Sequence, residues 1–182
     1  MRKAPIAGPA RVLVELLLAA VVLGLTAGLL WWVLTPEIQG EIAPTGVVVS
    51  NAESRRQFGV AGWFAMLAAA GGLLLGSVGF IRHRRRPVTA LVVLVFAGLV
   101  AAALQWWFGT LLGPGPVADR SAGLPTGATI SMPLDLNAYA ALFLWPIGAV
   151  ISSLVVAVFL DDHEPWSARL SRRERSEPSL PP

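Results

Sequence analysis

AGWFAMLAAAGGLLLGSVGFIRHRRRP, residues Ala61–Pro87, decides the reading of this chain. No charge falls between Ala61 and Ile81, and then four arginines and a histidine occupy Arg82 to Arg86. A helix needs about 20 apolar residues to cross the hydrocarbon of a bilayer. Lys and Arg stay on the side where the chain is made. One stretch therefore supplies both a membrane crossing and the address of its inner end.

Reading outward from it, three further runs have the same character: Val12–Leu34, Val88–Leu112 and Ala138–Leu160, with Gly59–Ile81 as the second of four. At about 1.5 Å per residue each reaches roughly 33–37 Å. Composition agrees, with 55% hydrophobic and 14% charged residues, against roughly 25% charged in soluble domains. Eleven of the fourteen basic residues lie in the N-terminal segment (Arg2, Lys3, Arg11), the second connection (Arg82, Arg84, Arg85, Arg86) or the tail (Arg169, Arg172, Arg173, Arg175). The expected protein is a multi-pass plasma-membrane protein with both termini in the cytoplasm. Residues 1–11 form a cytoplasmic segment, 12–164 the membrane domain with outer loops 35–58 and 113–137, and 165–182 a polar, disordered cytoplasmic tail. The first run is longer than a signal-peptide core, so it is expected to be retained.

The aromatic residues fit the same frame. Trp31, Trp32, Trp63, Trp106, Trp107 and Trp166 fall near span ends, and are expected as interfacial anchors, because an indole has a greasy ring and one N–H that seeks water. Ligand stacking by the tryptophan pairs is the alternative. LTAGLLWW, Leu25–Trp32, resembles VAAALQWW, Val100–Trp107, and PTGVVVS, Pro44–Ser50, resembles PTGATIS, Pro125–Ser131. These echoes point to two helical hairpins in parallel repeat. Each Pro-Thr-Gly reads as a turn, and the β-prone segments after them, Val47–Val49 and Ala128–Met132, are expected to pair with each other in a small extracytoplasmic cap. The expected fold class is thus an all-α membrane protein, four transmembrane helices with a β-containing cap.

Inside the spans, Gly24 and Gly28, Gly72 and Gly76 recur at four-residue spacing. Such stripes let helix backbones approach. Packing within the bundle is favoured over oligomerisation. Glu15 is the ionisable residue of the spans, and Arg11 lies one turn away on the same face, so an intramembrane ion pair is expected rather than a proton relay. Thr26 and Gln105 are the other polar groups at depth, and Pro146 is expected to kink the fourth helix or loosen its hydrogen bonding.

No catalytic residue, metal site or cofactor is expected. The chain has no cysteine, which removes thiolate chemistry and Cys-type zinc. Asp161, Asp162, His163 and Glu164 lack zinc or EF-hand spacing, and are expected to attract the arginine connection. Arg82, Arg84, Arg85 and Arg86 are expected to set topology and to hold anionic lipid headgroups. The run is short and tied to the membrane, so nucleic acid is not an expected partner; lipids and a membrane-protein partner or a second copy are.

The exit WW-x-L-x-P at Trp31–Pro36, the entry FGVAGWFAMLAAAGGLLLG, the connection IRHRRRP and the run PLDLNAYAALFLWPIGAV together resemble a group of uncharacterised four-helix actinobacterial integral membrane proteins. The resemblance spans most of the chain outside its tails and implies the architecture alone. From the residues, the expected function is a non-enzymatic accessory or scaffold subunit of a cell-envelope assembly, lipid-handling or transport. A small transporter or channel, as a homodimer, is the alternative. A lipid-acting membrane enzyme, for which only Asp161–Glu164 comes near, is the third.

Overall fold

The computed structural model describes residues 8–44, 46–136 and 138–161, without the side chains of residues 8, 9, 51–57, 160 and 161. Trp166, the acids Asp162 to Glu164 and both charged tails lie outside them. Helix α1 spans Gly8–Leu34, α2 Asn51–His83, α3 Pro87–Leu112, α4 Val117–Ser121 and α5 Leu144–Asp161. Strands β1, Gln39–Ala43, and β2, Gly46–Val48, join α1 to α2; β3, Thr129–Ser131, and a 3-10 turn, Tyr139–Phe143, lie between α4 and α5. The long helices α1, α2, α3 and α5 are each long and apolar enough to cross a membrane.

Proline sets several of these boundaries. Pro36 follows the last turn of α1, where Thr35 donates both its N–H and its hydroxyl to the Trp31 carbonyl, at 3.1 and 2.6 Å; the residue before a proline is pushed out of helical backbone. Pro87 opens α3, a position where a missing N–H leaves nothing unpaired. The α2–α3 connection is therefore only Arg84–Arg86, closed by Arg86 N–H to the His83 carbonyl at 2.9 Å. Pro146 corrects the sequence expectation of a kink. The predicted run Ala138–Leu160 divides into the 3-10 turn and α5, so Pro146 falls in the first turn of α5, where no helical N–H is required. Helix α2 likewise begins at Asn51, inside the segment expected to be loop.

The helices run up, down, up, down. Helix α1 packs chiefly along α3 and α2 along α5, with α2 and α3 touching across the middle. Both main seams are parallel, and glycine makes them. A Cβ on Gly24 would sit 2.7 Å from the Ala101 carbonyl oxygen, and one on Gly28 would sit 2.9 Å from that of Gln105. Gly72 and Gly76 press in the same way on the backbones of Trp145 and Ala149. The expected packing stripes are thus all used within the bundle.

The resulting bundle is small and partly polar inside, large and apolar outside. Ala20, Ala68, Ala97, Ala101, Gln105 and Ser153 are buried, whereas Leu18, Met66, Phe96 and Val158 are all more than 60% exposed. Water would penalise such an exterior by about 25 cal/mol for each Å² of apolar surface left wet. Between helices in hydrocarbon there is no such drive, and close packing with internal hydrogen bonds takes its place.

The sheet has the order β2-β1-β3, with β1 antiparallel to both neighbours; Glu41 faces Val48 on one side and Thr129 on the other. This corrects the expected direct pairing of the two segments that follow Pro-Thr-Gly. Each of them pairs with Gln39–Ala43 instead. Both turn glycines are needed, since Gly46 has φ 127° and Gly127 φ 90°, a region that side chains other than hydrogen rarely enter. Ile38, just before β1, and Leu136, after β3, belong to the buried core of the bundle.

Candidate functional site

Polar chemistry is concentrated in two places. The first lies within the bundle. Gln105, fully buried on α3, accepts from the Trp145 indole N–H at 2.6 Å through Oε1 and donates to the Phe64 carbonyl at 3.2 Å through Nε2. A turn further along, Trp31 donates its indole N–H to the Val60 carbonyl at 2.9 Å, with its ring edge-on to Phe64 at 5.0 Å. Ser153 donates to the Ala149 carbonyl at 2.6 Å, and Thr26 to that of Val22 at 2.8 Å. The Gln105, Trp145 and Trp31 bonds tie helices together, whereas the bonds of Thr26 to Val22 and of Ser153 to Ala149 close within their own helices. The Gln105, Trp145 and Phe64 arrangement is a structural lock that joins α3, α5 and α2.

This placement corrects one assignment. Trp31 is fully buried and hydrogen-bonded to α2, so its ring presents nothing to an interface. Trp32 and Trp107 are 43% and 54% exposed. Trp63 and Trp106 are half-buried. Trp145 is a large buried core residue against Gly71 and Gly72. Ser152 and Ser153 are buried too; their flanking apolar run hid them.

The second place is the candidate site. At the end of the bundle where α1 starts and α2 ends, Arg11 Nε lies 2.7 Å from Glu15 Oε1, as its i,i+4 spacing predicts. Arg82 Nε adds a second contact to Glu15 Oε2 at 3.0 Å, and so links α2 to α1. His83 Nε2 lies 3.4 Å from the same oxygen without the alignment of a hydrogen bond. The His83 side chain is only 10% exposed, and its Nε2 is buried with no hydrogen-bond partner among the described residues. Arg84, Arg85 and Arg86 complete a concave basic bowl of about 520 Å³.

The turn explains the crowding. A connection of three residues between antiparallel helices holds Arg84–Arg86 against the last turn of α2 and the first of α1, so five arginines surround one glutamate. Glu15 is engaged by Arg11 and Arg82. Among the described residues Arg84, Arg85 and Arg86 have no acidic partner. A cluster of guanidinium groups suits an anion with several acceptor oxygens, above all a phosphate. The expected attraction of Asp161–Glu164 to this cluster rests on side chains outside the described residues.

Directly adjoining the bowl, and sharing Glu15, Arg82 and His83 with it, an apolar groove of about 600 Å³ runs between α1 and α2 over Leu18, Val22, Leu74 and Val78. Glu15 to Leu23 is about 12 Å of helix. Sequence reading found Arg11, Glu15 and the arginine connection one by one. It missed Arg82 as the partner of Glu15 and His83 as a lining residue, because that contact joins positions 67 residues apart.

Fold and site together define a class: a four-helix bundle of membrane-crossing length with one strongly basic end. Comparison with protein-family models, curated proteins and solved structures found no match.

Proposed function

We propose that this chain is a non-enzymatic plasma-membrane protein that acts as an accessory or scaffold subunit of a cell-envelope assembly, lying with its basic end in the cytoplasm. One observation carries the reading. The interior of the bundle is closed: Trp31, Phe64, Leu94 and Trp145 are fully buried, glycine seams bring backbones into contact, and Gln105 is engaged by two helices. A transport path needs polar surface that stays available at mid-depth. Here the buried Gln105, Trp145 and Trp31 side chains are committed to bonds between helices, which favours a scaffold over a channel or carrier.

The basic end supports the orientation, because Arg82–Arg86 and Arg11 lie together at one end of the bundle, and cytoplasmic ends carry the Lys and Arg excess. The parallel packing of α1 on α3 and of α2 on α5 supports an origin in two parallel hairpins, and the architecture fits the actinobacterial group the sequence resembles. The strands lie at the opposite end, as an outer cap would.

The test is affinity purification after mild detergent extraction. The expected result is stoichiometric recovery of a larger membrane protein with the chain. Recovery of the chain alone at every detergent strength, together with ion or solute flux above empty vesicles, would replace the scaffold reading with the transport one.

A further inference from the structure

We infer that the α1–α2 seam is a binding site for one anionic glycerophospholipid, its headgroup phosphate in the basic bowl and an acyl chain along the adjoining groove. The inference rests on the membrane placement proposed above. It commits the basic end to a particular ligand, where sequence alone implied only a general attraction to the surface.

Three observations meet at this seam. The first is continuity. Bowl and groove share Glu15, Arg82 and His83, so a ligand that is anionic at one end and apolar along its length would find both surfaces in the right order. The second is charge. Glu15 is taken up by Arg11 and Arg82, while Arg84, Arg85 and Arg86 lack acidic partners among the described residues. The third is His83. Its side chain is nine-tenths buried and carries a buried ring nitrogen, Nε2, with no hydrogen-bond partner among the described residues. Its nearest acidic neighbour, Glu15 Oε2, lies 3.4 Å away and is already held by Arg82, and a polar atom so placed rarely stays unpaired.

The energetics identify which part selects. Moving an acyl chain from bulk lipid onto Leu18, Val22, Leu74 and Val78 exchanges one apolar surroundings for another, so it provides little drive. The groove fixes position. Preference comes from the headgroup, through charge-assisted hydrogen bonds from guanidinium to phosphate in a basic pocket between helices. A zwitterionic lipid offers the same phosphate, but its own ammonium offsets the charge.

The measurement is native mass spectrometry of the full chain reconstituted with equimolar phosphatidylglycerol and phosphatidylcholine of identical acyl chains. Three basic residues near a surface imply a preference for phosphatidylglycerol of about tenfold to a hundredfold. Leu18→Trp and Val78→Trp fill the groove without touching charge. Both positions are more than half exposed, so the fold survives and the bound lipid is lost. Soluble glycerophosphoglycerol should fail to displace the lipid. Equal retention of the two lipids, unchanged retention in both tryptophan variants, or full displacement by the soluble headgroup would each overturn the inference. Release of the chain from membranes by alkaline carbonate would instead strike the membrane placement itself, so the two failures are distinguishable.

Discussion

The α1–α3 seam and the α1–α2 seam share a helix and differ in almost everything else. Along α1–α3, Gly24 and Gly28 lie on the backbone of Ala101 and Gln105, and Gly109 receives the Trp31 ring. Nothing larger than hydrogen fits. Along α1–α2, contact is made at two ends, by Trp31 on Val60 and by Glu15 on Arg82, and between them Leu18, Val22, Leu74 and Val78 leave a groove. The same helix is thus closed on one face by small residues and held open on the other by large ones. Without a hydrophobic drive between helices, residue size along the seam decides how near two backbones come.

The largest effect that would break this contrast is steric. Gly28→Leu places a branched side chain where even a Cβ lies 2.9 Å from the Gln105 carbonyl oxygen and 3.2 Å from the Phe108 Cβ. Backbone cannot yield as a flexible side chain does, so the expected loss is about 3 kcal/mol or more. Thermal unfolding in detergent should show it as a collapse of the melting temperature. Val78→Leu, on the open seam, should change stability by no more than about 0.5 kcal/mol. If the two variants melt alike, glycine packing does not hold α1 to α3.

The next effect concerns the lock that closes the interior. Gln105→Leu keeps the volume but leaves the Trp145 N–H without a partner, while the Phe64 carbonyl keeps its bond within α2. A buried unpaired polar group costs about 1–3 kcal/mol. Trp145→Phe removes that orphan. The double variant should therefore lose about 1 kcal/mol less than the two single variants together. Additive losses measured by denaturation in mixed micelles would mean that the 2.6 Å contact contributes shape but no coupling.

These residues also show why some of the molecule was legible in the sequence and some was not. The spans were plain because a helix surrounded by lipid must satisfy its own backbone and turn apolar groups outward, which writes a long uncharged run. Glycine spacing and the Arg11–Glu15 pair were plain because both repeat with the period of a single helix. The central strand was not. Gln39, Gly40 and Glu41 are weak strand formers, while Val47–Val49 draws attention by its β-branched side chains. Gly40 belongs in the middle because the Val47 and Met132 side chains close over it, leaving no room for a Cβ. Trp31 was misplaced for a related reason. Position near a span end predicts an interfacial ring, and only the third dimension reveals Val60 waiting with a carbonyl. Arg82 and His83 belong to the same category, since they reach Glu15 across the seam between α1 and α2 rather than along one helix.

The smallest effect tests the open seam at its pinned end. Glu15→Gln keeps the shape and one acceptor oxygen but removes the charge that draws Arg11 from its own helix and Arg82 from α2. Melting should hardly move, because the α1–α3 and α2–α5 seams are untouched. The expected change is in spread rather than stability. The chain has no native cysteine, so spin labels attached at Leu18→Cys and Val78→Cys report only the width of the groove. Their distance distribution should broaden when Glu15→Gln is added, while a pair placed across α1 and α3 keeps its width. An unchanged groove distribution would mean that the Trp31–Val60 bond alone sets how far α1 and α2 stand apart, and that the basic end follows the seam instead of holding it.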